Sequence, residues 1–197
     1  AELMGLNSKK FKQLNFLIKN KQFINQLIQN VESTLYLVQK NKYNSIILNY
    51  DERSDDLFKW YQQLIAESLG KKSRGILPVI SSMPKDNHSL MQFYLDGPKK
   101  SFYTFFSVLD KNHYTINKKL LEILLAQKKA TEKVFKNKKL PFRSFEILKR
   151  DEKTIGEIFC FFILETILLG NALKVNPFDQ PSVELIKKET KKIMSKN

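Results

Sequence analysis

The chain is expected to fold as an α/β protein, with a mostly parallel sheet covered by helices on both faces. Three observations predict this. Short β-branched and aromatic runs alternate with longer segments of three- and four-residue apolar spacing. The run Ser-Ile-Ile-Leu-Asn-Tyr ending at Tyr50 is apolar without alternation, as suits a parallel strand buried on both faces. No internal repeat or low-complexity linker interrupts the alternation.

Residues 8–41 read as helix, because Leu14, Leu17, Ile18, Ile24, Leu27, Ile28, Val31, Leu35 and Val38 recur at helical spacing. Asn44–Tyr50 is the first strand. Asp51–Leu69 follows as a helix whose acidic start suits the helix dipole and whose end is marked by Gly70. Lys71–Arg74 is a basic loop. Gly75–Ser81 reads as a strand in which Pro78 requires an edge or a bulge.

Met83–Asn87 is a loop and His88–Leu95 a short helix stopped by Gly97-Pro98. Ser101–Leu109 has the aromatic and β-branched composition of a strand. Thr115–Lys136 is a helix with Leu120, Leu121, Leu124 and Leu125 inward, and Pro141–Leu148 a strand. Thr154–Leu173 is the most apolar helix. Its longest apolar run, Ile158–Leu164, is well short of the roughly 20 residues that span a bilayer, so it reads as a core helix. The last helix is Gln180–Lys196, with Asp179 as N-cap and Pro181 in the first turn.

At 197 residues, 42% apolar and with 15 Phe, the chain is long and apolar enough to bury a core. A net charge of +14 raises nucleic acid or an acidic membrane as partners. The composition argues against both. Only four of the 34 basic residues are Arg (Arg53, Arg74, Arg143, Arg150), and Arg is the residue suited to bidentate phosphate and base contacts. The Lys are scattered along the chain, not gathered into an arm. Neither nucleic acid nor membrane is therefore expected as a partner. Cys160 is the single cysteine and forms no internal disulfide, which fits a reducing, cytoplasmic setting. His88 and His113 are too few for a histidine-rich metal site, and no metal or organic cofactor is expected.

Three segments carry candidate chemistry. In Gln62-Gln63-Leu-Ile-Ala-Glu67-Ser68-Leu-Gly70-Lys71, Gln63 and Glu67 are i and i+4 and share a helix face. Spacing alone gives only a solvated Gln and Glu. In Asp86-Asn87-His88-Ser89-Leu90-x-Gln92, a lone His precedes an apolar helix; imidazole suits proton transfer near neutral pH, although such a residue is more often structural. The third segment is Gly170-x-Ala-Leu-x4-Phe178-Asp179-Gln180-x-Ser182-Val183-Glu184-x2-Lys187. Gln180 and Lys187 are seven residues apart, so a continuous helix puts both on one face, about 10 Å apart. The plain alternative is an amphipathic helix with Val183 and Ile186 toward the core and its lysines solvated.

Together the three segments resemble the glucose-6-phosphate isomerase family. The Gly170–Lys187 run resembles its C-terminal signature, with Ser182 where the family usually has Gly or Ala. The Glu67 and His88 segments resemble those bearing its catalytic glutamate and histidine. The resemblance covers residues 44–187 in order, and the opening Glu-Leu-Met-Gly-Leu-Asn also looks like family sequence.

It implies a sugar isomerase (SIS) domain, a flavodoxin-like three-layer αβα sandwich with C-terminal helices. Residues 1–40 are then a helical lead-in from an N-terminal SIS domain outside this chain, and 41–197 the C-terminal SIS domain with its final helix. It further implies reversible conversion of glucose-6-phosphate to fructose-6-phosphate without a cofactor. Glu67 would be the general base and acid, His88 and Lys187 would serve ring opening and closing, and Gln63 and Gln180 would position hydroxyls. The partner is a second copy, in a homodimer that lends His88 in trans. The family's Gly-Gly-Arg-Tyr-Ser type loop, its phosphate-gripping loop and the Arg that steadies the enediolate are not in this sequence. The chain is accordingly expected to be a C-terminal portion, essentially inactive alone. The rival readings are a non-catalytic sugar-phosphate-binding SIS domain and a basic nucleic-acid-binding module.

Overall fold

A computed structural model describes residues 7–12, 14–109 and 118–195. Among these, four strands form one parallel sheet: β1 (Asn44–Asn49), β2 (Leu77–Ser82), β3 (Ser101–Val108) and β4 (Phe142–Ile147), in the order β2-β1-β3-β4. β2 is an edge strand, as Pro78 demands, since proline has no N–H for a second neighbour.

The helices are α1 (Ser8–Phe11), α2 (Leu14–Leu17), α3 (Lys21–Gln39), α4 (Asp55–Leu69), α5 (Asp86–Ser89), α6 (Met91–Asp96), α7 (Lys118–Asn137), α8 (Glu152–Ala172) and α9 (Pro181–Met194). The period-two side-chain alternation of the strands divides them into two layers. On one face Ile47, Phe102, Phe106, Val108 and Ile147 pack against Leu27 and Val31 of α3, Phe58, Tyr61 and Ile65 of α4, and Phe161, Phe162 and Leu169 of α8. On the other, Ile46, Leu48, Tyr103 and Phe105 meet Tyr94 of α6 and Phe135 of α7. The molecule is therefore a three-layer α/β sandwich. β1 to β2 crosses on the first face, and β2 to β3 and β3 to β4 cross on the second. Strand order reverses direction between these connections, so right-handed crossovers require opposite faces.

Three sequence expectations need correction. The single helix over residues 8–41 is three helices, because Asn20 is better used as a cap. Its side chain accepts from the backbone N–H of Gln22 and Phe23, starting α3 afresh. The helix expected from Asp51 begins at Asp55, after a short 3-10 turn over Glu52–Ser54. Asp51 is instead buried, with its carboxylate bonded to Ser54 and Arg150. The His88–Leu95 helix is two short pieces, α5 and α6.

α8 is the one helix among the described residues long and apolar enough to cross a bilayer. Here it is a core helix, with Phe161, Phe162 and Leu169 in the main cluster. It also buries Glu165, which pairs with Arg143 of β4. The Arg143 fork reaches Thr104 (3.0 Å), Asn30 (3.2 Å) and Tyr61 (3.4 Å) as well. One guanidinium thus ties α3, α4, β3, β4 and α8 together. Burial by itself disfavours the charge, but the Glu165 carboxylate and the Tyr61 hydroxyl outweigh it and hold Arg143 charged.

Candidate functional site

The site is built on the last turn of α4. Gln62 donates from Nε2 to the carbonyl of Pro78 at 2.8 Å, placing that part of the helix level with the start of β2. Since α4 runs back along the sheet, Glu67, five residues on, lies beyond the amino end of β2, roughly 7 Å further along the axis. This differs from the usual position of ligands at the carboxyl edge of open α/β sheets.

Two amides hold the Glu67 carboxylate. Gln63 Nε2 donates to Oε1 at 3.0 Å from one turn earlier on the same helix. Gln180 Nε2 donates to Oε2 at 2.8 Å from the other end of the chain. Gln63 and Glu67 thus share a helix face, and Gln180 joins them. They line a hollow of about 220 Å³ walled by Trp60, Leu64 and Ser68 on one side and Pro177 and Phe178 on the other. Glu67 is half-buried, with both amides exposed. A carboxylate with each oxygen held by a neutral donor is fixed in orientation, and its remaining lone pairs stay free to take a proton.

The segment carrying Gln180 is held from α4's side. Val175 is buried in the core, and the Pro177 ring lies against Gly170 of α8. A Cβ on Gly170 would come within 3.1 Å of Pro177 Cβ, which is the physical reason for a glycine there. Asn176 accepts from the N–H of Phe178 at 3.0 Å and donates to Asp179 at 3.0 Å, closing a tight turn. Asp179 is not the N-cap of α9. Gln180 occupies that position without a side-chain cap, and Asp179 pairs with Lys71 at 2.8 Å. Lys71, foremost by its hydrogen bond, holds the Asp179 carboxyl below the usual range.

Lys187 does not join the hollow. The phase argument requires Gln180 to be helical, but its backbone (φ −141°, ψ 60°) lies outside the helix, so the two do not share a regular face. Lys187 points to Glu184 at 2.7 Å and is 65% exposed. Val183 and Ile186, at 40% and 70% exposed, do not face the core either, and α9 buries none of its residues.

His88 also stands apart. It is exposed on α5, just past the carboxyl end of β2. From Pro78 to Ser82 the strand covers roughly 13 Å, and Glu67 lies further the other way. Within one chain His88 and Glu67 are thus at opposite edges of the sheet, roughly 20 Å apart along the strands. His113 lies outside the described residues. Among the described residues no group of three or more His, Cys, Asp or Glu side chains could hold a metal ion.

A parallel three-layer α/β domain whose amide-flanked carboxylate sits at a helix end is the kind of scaffold that presents an acid–base group to a small polar ligand. Comparison with known proteins narrows this class. The chain is 35% identical over 201 residues to the glucose-6-phosphate isomerase of Mycoplasmopsis pulmonis, covering 94% of this chain and 47% of that protein. It is 32% identical over 184 residues to that of Methanocaldococcus jannaschii, covering 87% and 44%. No family model matches the chain. Solved structures that share the fold include a hypothetical protein from Thermus thermophilus (TM-score 0.79, 23% identity, 94% of this chain and 49% of that one) and a glucose-6-phosphate isomerase from Chlamydia trachomatis (TM-score 0.68, 16% identity, 78% and 35%). The chain belongs to the glucose-6-phosphate isomerase family, and it spans about half the length of the curated relatives it matches.

Proposed function

We propose that the chain supplies one half of the active site of an aldose–ketose isomerase acting on glucose-6-phosphate and fructose-6-phosphate, as the C-terminal SIS domain of a longer protein. The observation that carries this reading is Glu67 held between Gln63 and Gln180 at the rim of a small hollow. Isomerisation moves one proton between neighbouring carbons. A carboxylate takes the C2 proton of the open-chain aldose, and the C–H electron pair becomes the C1–C2 double bond of an enediolate. The carbonyl pair meanwhile moves onto the C1 oxygen. The same group then returns the carbon-bound proton to C1, the C1 oxygen takes up the proton that the C2 hydroxyl gives up, and the carbonyl is left at C2, giving the ketose. The base must therefore face both carbons, and two fixed amide donors hold it so. Each amide keeps its Nε2 bond to Glu67 and has a second N–H and an oxygen left for sugar hydroxyls. The proton transfer is complete without a metal.

His88 completes the site from a second copy of the chain. The separation of His88 and Glu67 within one chain supports this, and so does the two-fold reciprocity of a dimer, in which each copy lends what it borrows. Lys187 reaches the ring-oxygen end of the sugar once the rest of the protein and the substrate are in place.

Complementation in the intact protein tests this arrangement. Glu67→Ala and His88→Ala homodimers should each be nearly inactive. When the two are unfolded, mixed and refolded together, half the dimers are mixed, and each mixed dimer has one site with neither lesion. Activity should recover to about a quarter of wild type on two-fold symmetry. No recovery, with mixed dimers shown to be present, defeats the shared site. Lys187→Ala should slow turnover of the cyclic substrate more than of an open-chain analogue, and equal losses on both would reduce Lys187 to a surface residue.

A further inference from the structure

The basic loop between α4 and β2 is not used by the mechanism above, yet it is wired to the site. Lys71 Nζ lies 2.5 Å from the carbonyl oxygen of Asn176 and 2.8 Å from Asp179 Oδ1, with its side chain only 10% exposed. Arg74 Nη1 donates to the Leu173 carbonyl at 2.6 Å. These carbonyls belong to the end of α8 and the turn after it, where a helix presents unpaired acceptors and the negative end of its dipole.

The loop therefore holds the whole of residues 173–179 from the side on which Glu67 sits. Lys71 is four residues after Glu67, and Asp179 is next to Gln180. The Lys71–Asp179 pair and the Glu67–Gln180 hydrogen bond are two rungs between the same two segments. Beyond the Val175 and Pro177 anchors of the turn before it, no other side-chain contact steadies Gln180 among the described residues. Its side chain is exposed, it lies outside α9, and α9 buries nothing against the domain.

We propose that Lys71 is a positioning residue of the isomerase site. By gripping Asn176 and Asp179 it sets the register of the turn from which Gln180 reaches the Glu67 carboxylate. The proposal rests on the assignment of Glu67 as the proton-transferring group. It differs from a purely structural role in one respect: Lys71 acts through Gln180, so its contribution exists only while Gln180 is present.

A double-mutant cycle in the intact protein reads this difference. Lys71→Ala should lower kcat by roughly tenfold to a hundredfold, since a displacement on the order of 1 Å around a reacting centre can cost about 10²-fold in rate and a smaller one less. In a Gln180→Ala background the same substitution should change kcat by less than about twofold. Asp179→Asn removes the ion pair while keeping the side chain's shape. It should show the same dependence on Gln180, and it serves if Lys71→Ala does not fold. An equal loss in both backgrounds, or no loss from either variant in the presence of Gln180, overturns the proposal. Failure of the isomerase reading looks different. In that case Glu67→Gln keeps wild-type proton exchange, whatever the cycle shows.

Discussion

Glu67 is distinguished from the many solvated glutamates by two donors, one close in sequence and one 113 residues away. Only the first is legible from spacing, because i and i+4 side chains meet on any helix. The second depends on a tertiary turn that no periodicity encodes. Lys71 is hidden in the sequence for the same reason, since its partners are a backbone carbonyl and a carboxylate in a distant loop. The neighbouring glycine gives a separable prediction. Gly170 lies inside α8, so alanine gains about 1 kcal/mol of helix propensity. The new Cβ presses on Pro177 at 3.1 Å, and mild overpacking costs about 1–3 kcal/mol. The net is a loss of about 0–2 kcal/mol. Gly170→Ala should therefore lower the melting temperature by a few degrees at most while lowering kcat severalfold, because relief of the contact moves the turn that carries Gln180. An unchanged kcat at an unchanged melting temperature would show that the turn absorbs the methyl.

Individual elements differ in how far sequence anticipates their partners. The strands fall within a residue or two of their expected bounds, because buried parallel strands are short, apolar and bounded by polar turns. Pro78 marks its strand as an edge. α3 merges with the residues before it on pattern alone, because apolar spacing continues through Lys19-Asn20 while the backbone does not. α9 is amphipathic in sequence but has no core to face, so Ile186 at 70% exposure shows what composition alone could not. The buried ion pair joining β4 to α8 is also invisible in sequence, because Arg143 and Glu165 lie on different elements. Removing Glu165 leaves the Arg143 guanidinium largely enclosed without its counter-charge. Glu165→Leu should cost about 3–5 kcal/mol in denaturant unfolding. A loss under about 1 kcal/mol would mean that Asn30, Thr104 and Tyr61 suffice to solvate the charge.

For the whole molecule, the aromatic core sets behaviour at alkaline pH. Burial pushes the hydroxyls of Tyr50 and Tyr103 up to about 12 from an ordinary 10.0, and raises Tyr61 further. Between those values the unfolded chain has released protons that the folded chain still holds. Folded stability therefore falls as pH rises from about 10 toward 12. The share of tyrosinate absorbance due to Tyr50, Tyr61 and Tyr103 should lag behind the free amino acid and then rise together with loss of helical signal; a smooth titration of these three in the folded state would contradict the packing. The three-layer architecture follows from the sequence because strand and helix patterns alternate, but the proposed pairing of Glu67 with His88 is not made within one copy. Glu67 and His88 stand at opposite edges of one sheet, and no property of a single chain brings them together. In the proposed reaction Glu67 carries the proton between the two carbons. Exchange of solvent hydrogen isotope into substrate by the intact protein carrying Glu67→Gln tests it most directly. A lone general base is worth at least about 10²–10⁴ in rate, so exchange should fall by that factor or more while sugar-phosphate binding stays near wild type. Exchange at the wild-type rate would contradict the account.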